Sequence, residues 1–179
     1  MNTRLLISAA AFTTATLVQA QAFTLSSPDI AENRRLDQRQ VFQGFGCEGG
    51  NVSPALAWSN PPAGTKSFAI TVYDPDAPTG SGWWHWTVVN LPSSTTALAA
   101  DASEQLPAGA VQGRNDFGSA QFGGACPPVG DKPHRYQFTV WALKVDKLPL
   151  DNQASGALVG YMLNANVLGK ATLTAVYGR

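Results

Sequence analysis

Two histidines and a pair of carboxylates lie in stiff segments beside predicted strands, and together they could hold a small anion. The segment Asp74-Pro-Asp-Ala-Pro78 carries both carboxylates, and each proline restricts its own backbone and that of the residue before it. His85 follows in a Gly-Trp-Trp-His-Trp run, and His134 begins a later strand. An Asp-Pro pair is also an ordinary turn former, and a strand histidine is often a hydrogen-bonded core residue. The chemistry therefore depends on whether the fold brings these residues together.

Two glycine-rich segments, Gly113–Gly118 and Phe122–Asp131, are typical of loops whose backbone amides approach a ligand. Successive N–H groups in such loops can form an anion-binding nest, although the loops also occur as plain long turns. A carboxylate placed directly against an anion would repel it. We therefore expect Asp74 or Asp76 to pair with a histidine, orient its ring and favour the imidazolium form. The combined set predicts a site for a phosphate-like group.

The patterns of the common catalytic and metal sites are missing from the sequence. No Gly-x-Ser-x-Gly segment is present and no motif places a nucleophile beside a histidine, so a hydrolase that uses His85 or His134 as base is the weaker interpretation. Two Cys and two His without a close Cys-x-x-Cys pair make a poor zinc site, and we predict neither metal nor cofactor. Cys47 and Cys126 favour one disulfide if the chain is exported, with two buried free thiols as the alternative.

The first residues are typical of a secretory signal peptide. An apolar run from Leu5 to Val18 follows Met-Asn-Thr-Arg and leads to Ala20-Gln-Ala22, a small-residue cleavage pattern. The run of about 14 residues is shorter than the roughly 20 that a membrane span needs. We predict a signal peptide over residues 1–22, one domain over residues 23–179, and a periplasmic or secreted protein. The 12 basic and 12 acidic residues balance, so we expect no nucleic acid partner.

Short β-like runs between turn signals predict a mainly β domain. In Ser67–Tyr73 large apolar residues alternate with small or polar ones, as in a strand that is buried on one face. In the Trp-rich run, an extended strand would place Trp84 and Trp86 on one face and Trp83 and His85 on the other. The predicted elements are the strands Phe23–Ser26, Val41–Gly44, Ser67–Tyr73, Trp84–Leu91, Tyr136–Leu143 and Thr172–Tyr177, and a polar connection with a short helical turn over Pro92–Val111.

One surface helix is predicted near the end of the chain. Leu158, Tyr161 and Met162 fall at helical spacing, and Asp151 precedes them as a candidate N-cap. The predicted helix spans Asn152–Asn164 and packs on the sheets.

These segments resemble the two signature regions of the phosphatidylethanolamine-binding protein family. The first region is Asp74-Pro-Asp-Ala-Pro78 with Trp83-x-His85 and Val88-Val-Asn90, and the second is Gly123-Gly-x-Cys-Pro-Pro-x-Gly130 with His134-Arg-Tyr136. The match covers residues 23–179 and is similar to the bacterial branch described as Raf-kinase-inhibitor-like. The resemblance implies an antiparallel β-sandwich with one or two short peripheral helices, and a small surface pocket for phosphate, acetate or a phospholipid head group.

The resemblance also implies which residues form that pocket and what it does. The implied ligand-binding residues are Asp74, Trp83, His85, Cys126, Pro128, His134 and Tyr136. The implied loop-supporting residues are Asp76, Pro78, Gly124 and Arg135. The predicted function is an exported, non-catalytic binding protein for a small anion or phospholipid head group. The alternative is a regulator of a protein partner, such as an inhibitor of an exported protease or another enzyme.

Overall fold

The computed structural model describes residues 21–179, so the predicted signal peptide lies almost entirely outside the described residues. Within them, ten β-strands, helix α1 (Gly156–Asn166) and two 3₁₀ turns at Gln38–Gln40 and Ala102–Glu104 follow along the chain. The strands are β1 (Thr24–Ser26), β2 (Gln43–Gly44), β3 (Cys47–Glu48), β4 (Leu56–Ser59), β5 (Ser67–Asp74), β6 (Trp83–Pro92), β7 (Ala97–Leu98), β8 (Val111–Gln112), β9 (His134–Leu143) and β10 (Val167–Tyr177). None of the helices in this part of the chain is long and apolar enough to cross a membrane.

The predicted antiparallel sandwich is confirmed. The larger sheet has five strands in the order β10-β9-β5-β6-β8, and the smaller sheet has three in the order β1-β4-β7. Buried side chains from both sheets fill the space between them; the rings of Trp58 on β4 and Phe68 on β5, for example, have centroids 5.5 Å apart. Strands β2 and β3 form a separate hairpin.

Strand β5 is buried on both faces. Phe68, Ile70 and Val72 pack in the core between the sheets, as their alternation predicts. The small residue Ala69 points to the other face and belongs to a second apolar cluster that includes Leu163 of α1. The interpretation of β5 as a half-buried strand is therefore wrong, because Trp141 of β9 and the buried side chains of α1 together cover its outer face.

Helix α1 begins at Gly156 rather than Asn152. Its N-cap is Ser155, whose hydroxyl accepts a hydrogen bond from the Leu158 N–H at 3.3 Å, so the prediction of Asp151 as the cap is wrong. The carboxylate of Asp151 instead accepts the Gln153 N–H inside the preceding turn. The residues that the helix buries are Gly156, Val159, Gly160 and Leu163.

Two glycines decide which face of α1 is buried. A Cβ atom at Gly156 would lie 2.1 Å from Cγ of Trp84, and one at Gly160 would lie 3.4 Å from the same ring. The helix can therefore rest on the Trp84 indole only because a side chain is missing at Gly156. The sequence pattern relies on large apolar residues and therefore predicted that Leu158 and Tyr161 lie on the packed face, but they are 46 % and 71 % exposed.

The other predicted strands are present with shifted ends. Of the predicted strand Val41–Gly44, Gln43–Gly44 pairs in the hairpin and Val41 makes an isolated parallel bridge to Ala125. The final strand begins at Val167 rather than Thr172. The connection Pro92–Val111 contains β7 and a 3₁₀ turn. Strand β4 was not predicted, because its four residues carry too little alternation to stand out.

Candidate functional site

A β-bulge at His85 decides where the tryptophans of β6 point. Val72 of β5 pairs with Trp86 and the following residue, Tyr73, pairs with Trp84, so His85 is an extra residue in the ladder. Trp84 consequently lies under α1, whereas Trp86 packs in the core between the sheets. The prediction that Trp84 and Trp86 share a face is therefore wrong, because regular alternation breaks at the bulge.

A cavity of about 390 Å³ opens beside this bulge, where β5 ends and β6 and β9 begin. Eight of the predicted site residues line it: Asp74, Pro78, Trp83, His85, Cys126, Pro128, His134 and Tyr136. Six residues that the sequence analysis did not assign complete the lining: Phe45, Ala77, Thr79, Phe117, Pro127 and Arg179. The fold thus brings the two predicted segments to one cavity and adds residues from elsewhere in the chain.

Asp74, the last residue of β5, pairs with His134, the first residue of β9. Oδ2 of Asp74 and Nδ1 of His134 lie 2.7 Å apart, and both side chains are buried. Oδ1 of Asp74 accepts the N–H of Asp76 at 2.8 Å, and Nε2 of His134 lies 3.3 Å from Oδ2 of Asp131. The expected carboxylate–histidine pair is present, and it involves His134 rather than His85. Because both oxygens of Asp74 are engaged, its charge repels an anion in the cavity less strongly.

His85 has different partners and favours a neutral ring. Its Nδ1 lies 2.7 Å from the carbonyl oxygen of Gly123 and 3.1 Å from that of Gly124. Carbonyl oxygens only accept hydrogen bonds, so Nδ1 carries the proton and donates. Burial lowers the pKa of His85, and this effect outweighs the opposing influence of the Gly123 carbonyl and of the Asp74 charge. The predicted pairing with a carboxylate therefore concerns His134, and the neutral ring of His85 leaves Nε2 as an acceptor.

Two hydrogen-bond donors belonging to the cavity wall have no partner within residues 21–179. They are the Tyr136 hydroxyl and Nε1 of Trp83, both buried atoms. Burial, reinforced by the nearby charge of Asp74, raises the pKa of the Tyr136 phenol, so the hydroxyl stays protonated and available to donate. A buried polar group without a partner costs about 1–3 kcal/mol. The side chains that carry these two groups line the cavity, while the donor atoms themselves are buried beneath its surface.

The glycine-rich segment does not form the predicted nest at its glycines. The N–H of Gly123 donates to the carbonyl of His85, and the N–H of Gly124 donates to Oδ1 of Asn51. Glycine is required here for packing, since a Cβ atom at Gly124 would lie 2.4 Å from a backbone oxygen of the neighbouring chain segment. The N–H of Cys126 makes no hydrogen bond in the described part of the chain. The next two residues, Pro127 and Pro128, have no N–H, so successive amides cannot form a nest there either.

Asp76 and Arg135 lie outside the cavity and join the loop after β5 to β9. Oδ2 of Asp76 accepts the backbone N–H and Nε of Arg135, each at 2.9 Å, and Oδ1 accepts Nη2 at 2.7 Å. These hydrogen bonds from the guanidinium lower the pKa of Asp76 below its ordinary value. Both residues therefore belong to the framework of the loops and do not contact the cavity.

Arg179 is a cation of the cavity wall that the sequence analysis missed. Its Nε donates to the carbonyl of Pro127 at 2.6 Å and its Nη1 to the carbonyl of Gly46 at 2.7 Å. In the part of the chain that the structure describes, no acidic side chain lies within ion-pair distance of this guanidinium. No local motif marks Arg179, because its partners lie 52 and 133 positions earlier in the sequence.

Cys47 and Cys126 form a disulfide that joins β3 to the cavity wall. The alternative of two free thiols is wrong. The two half-cystines are 79 positions apart in the sequence. Closing a loop of that length stabilises a fold by roughly 4 kcal/mol in the chain-entropy model.

Phe45 stands at the tip of the β2–β3 hairpin and forms part of the cavity wall. Gly44 pairs with Cys47, so Phe45 and Gly46 make a two-residue loop, and their φ angles are both positive at 52° and 76°. Such loops favour Asn or Asp followed by Gly, and a left-handed backbone costs a bulky residue roughly 1–2 kcal/mol. The Phe45 ring is nevertheless 73 % exposed and its centroid lies 5.7 Å from that of Phe117. The sequence signal that could have identified Phe45 is a phenylalanine at a hairpin-loop position that favours Asn.

Comparison with protein families and known proteins agrees with this architecture. The family model for phosphatidylethanolamine-binding protein matches residues 26–178. The UPF0098 protein YbcL of Escherichia coli (strain K12) is 61 % identical over 181 residues, which cover 99 % of this chain and 98 % of that protein. The UPF0098 protein YbhB of the same organism is 49 % identical over 156 residues, which cover 86 % of this chain and 98 % of that protein.

The same relationship holds for a solved structure. The crystal structure of E. coli YbcL, described as a new member of the mammalian PEBP family, has a TM-score of 0.87 and 64 % sequence identity to this chain. The structural match covers 88 % of this chain and 98 % of the YbcL chain. From the family model, the relatives and the shared fold together, we conclude that this chain belongs to the phosphatidylethanolamine-binding protein family.

Proposed function

We propose that this protein is an exported, non-catalytic binding protein whose cavity holds a small anion. The observation that carries the proposal is the pair of buried donors, the Tyr136 hydroxyl and the Trp83 indole N–H, which have no partner within residues 21–179 and whose side chains line the cavity. A small rotation of the Tyr136 and Trp83 side chains would turn both donors toward the cavity, where oxygen atoms of a phosphate, a carboxylate or a phospholipid head group would accept both hydrogen bonds. Binding such a group would remove the cost of leaving the two donors unsatisfied.

The charges around the cavity support a negatively charged ligand. Arg179 brings a guanidinium that pairs with no acidic side chain in the described residues, whereas the carboxylate of Asp74 is paired with His134. His85 in its neutral form presents Nε2, which can accept a hydrogen bond from a protonated acid. An anion against the ring would favour imidazolium, so we expect binding to strengthen as the pH falls.

The groups on the cavity wall support binding rather than catalysis. Cys126 is held in a disulfide and is not a free thiol. The hydroxyl of Thr79 donates to the carbonyl of Gly82, and Nδ1 of His85 donates to backbone carbonyls. Within residues 21–179, no Ser, Thr or Cys side chain of the cavity wall is hydrogen-bonded to a histidine that could activate it, and Asp74 is engaged by His134 and by the backbone N–H of Asp76. Turnover of a phosphoester by the purified protein that is lost in His85→Ala would contradict this part of the proposal.

Export is supported by the N-terminal pattern and by the disulfide. Residues 1–22 fit a signal peptide, and disulfides persist mainly in oxidising compartments such as the periplasm. The proposed location is therefore the periplasm, or the medium if the host has no outer membrane. Mass spectrometry of the protein recovered after expression tests this directly: we expect a mature chain that begins at Phe23 in the periplasmic or secreted fraction, and an uncleaved cytoplasmic chain would refute it.

Isothermal calorimetry with phosphate, phosphoethanolamine and acetate tests the binding function. The wild-type protein is compared with His85→Ala and His134→Ala, and with Tyr161→Ala on the exposed face of α1 as a control. We expect saturable binding that weakens in both histidine variants and is unchanged in the control. A folded protein that binds none of the three ligands would refute the proposal and favour the alternative, a regulator of a protein partner such as an exported protease.

A further inference from the structure

We infer that the cavity takes an acid whose charged head is bonded directly to a short apolar group, and that Phe45 selects for that group. The inference rests on the proposed function, because the charged head is the anion proposed above. It adds a second part to the ligand, of a few carbon atoms, either aryl or alkyl. It also assigns a role to a residue that neither signature segment contains.

The size and the lining of the cavity call for this second part. A phosphate or acetate ion fills only a small part of 390 Å³, a volume within the range that drug-sized ligands occupy. Beyond the polar groups, the wall is apolar. Its apolar members include Phe45, Ala77, Pro78, Phe117, Pro127 and Pro128. A ligand that carries only charge would leave this surface uncovered.

The rings also fix where the apolar part begins. The centroid of His85 lies 5.4 Å from that of Phe117, which lies 5.7 Å from that of Phe45. Two successive ring contacts therefore connect the polar groups to Phe45. Because Phe117 adjoins His85, a group bonded directly to a head at His85 would lie against the rings of Phe117 and Phe45. A diacyl phospholipid fits less well, since glycerol and ester groups separate its phosphate from its hydrocarbon.

The contacts around Phe45 fix its backbone in an unfavourable conformation that presents the side chain at the cavity. Its backbone is left-handed, and its carbonyl and that of Gly46 are hydrogen-bond acceptors of Arg179. The disulfide from Cys47 to Cys126 ties the adjacent strand to the cavity wall. An unfavourable backbone that surrounding contacts enforce is a feature of functional sites. Here the contacts present an exposed ring at a cavity, where a ligand can cover it.

A titration series with ligands of equal charge tests the inference. The probes are methyl phosphate, butyl phosphate and phenyl phosphate, with inorganic phosphate and dihexanoyl phosphatidylethanolamine as further arms. For the wild-type protein we expect phenyl phosphate and butyl phosphate to bind roughly tenfold more tightly than methyl phosphate, from the apolar area that Phe45 covers. We expect phenyl phosphate also to bind more tightly than the lipid.

Phe45→Asn is the informative variant, because Asn-Gly is the favoured pair for this two-residue loop and the fold should tolerate it. Its thermal midpoint checks that point. We expect the ratio of phenyl to methyl phosphate affinity to fall to less than threefold in Phe45→Asn and to stay at its wild-type value in Tyr161→Asn, which removes an exposed aromatic ring elsewhere.

The outcomes separate this inference from the proposed function. If phosphate binds but the larger esters bind no more tightly, or if the ratio survives in Phe45→Asn, the apolar part is wrong and anion binding stands. If the lipid binds more tightly than phenyl phosphate, direct attachment of the apolar group is wrong. If no probe binds to the folded protein, both the inference and the proposed function are wrong.

Discussion

Replacing Tyr136 by Phe should stabilise the protein and weaken its binding of anions at the same time. The change removes one hydroxyl that is buried and has no partner within residues 21–179, and it leaves the ring in place between the sheets. An unsatisfied buried hydroxyl costs about 1–3 kcal/mol, so the free energy of unfolding should rise by about that amount. For a domain of this size, each kcal/mol corresponds to roughly 2–4 °C in Tm. The lost hydrogen bond to a charged ligand should reduce affinity by roughly 10- to 100-fold.

Urea unfolding and calorimetric titration with phosphate measure the two effects on the same protein preparations. Tyr161→Phe is the matched control, because it makes the same chemical change on the exposed face of α1 and should alter neither quantity by much. A Tyr136→Phe protein that is less stable than wild type, or one that binds phosphate as well as wild type does, would refute the reasoning that this hydroxyl is reserved for a ligand.

Three further predictions concern the framework and its response to pH. The Cys47→Ala/Cys126→Ala double variant should lose roughly 4 kcal/mol of unfolding free energy in urea, and a loss below about 1 kcal/mol would contradict the chain-entropy reasoning. Gly156→Ala should destabilise the fold by about 1–3 kcal/mol through the Trp84 contact, whereas Gly160→Ala should be close to neutral; equal effects in thermal melts would show that the contact is not the cause. Burial lowers the pKa of His85 in the native protein, whereas in the unfolded chain the pKa keeps its ordinary value of 6.5. As the pH falls below 6.5, the unfolded chain therefore binds a proton that the native protein does not, and the free energy of unfolding should decrease toward pH 5 from its full value above pH 6.5. Urea titrations from pH 8 to 5 should show a smaller decline in His85→Phe, and an unchanged decline would exclude His85 as its source.

Most of the sheet and the polar half of the site could be predicted from the sequence. The strand Ser67–Tyr73 has enough alternating apolar residues to identify β5, and rigid Pro/Gly segments mark where β5 ends and where β6 and β9 begin. The residue types in these segments suggested an anion site, and the family resemblance placed Asp74, His85 and His134 in one pocket before their contacts were known. The family resemblance added the remaining members of both segments.

The rest of the site depends on contacts that leave no local pattern. Arg179 reaches the cavity through two backbone carbonyls far away in the sequence, and a single arginine carries no signal of that. The bulge at His85 is a property of the pairing with β5 and cannot be read from β6 alone. The nest was predicted because glycine permits close approach, but at Gly124 the approaching atoms belong to the protein itself.

Protonation was the other feature beyond the reach of the sequence. A carboxylate near two histidines suggested that a histidine would be charged. In the structure the two histidines have different partners: Asp74 contacts His134, whereas His85 is buried against carbonyl oxygens that fix its tautomer. Which histidine has the carboxylate partner depends on the strand register, because Tyr73 of β5 lies opposite Gln137 of β9 and places Asp74 near the start of that strand.

Locating a bound anion by anomalous diffraction tests the central claim most directly. Arsenate is a phosphate analogue whose arsenic atom scatters anomalously, and crystals can be grown at a concentration that saturates binding in calorimetry. We predict one strong anomalous peak in the cavity, with arsenate oxygens within hydrogen-bond distance of the Tyr136 hydroxyl and Nε1 of Trp83. Saturable binding in solution with the peak elsewhere on the molecule, or no peak at all, would contradict the account.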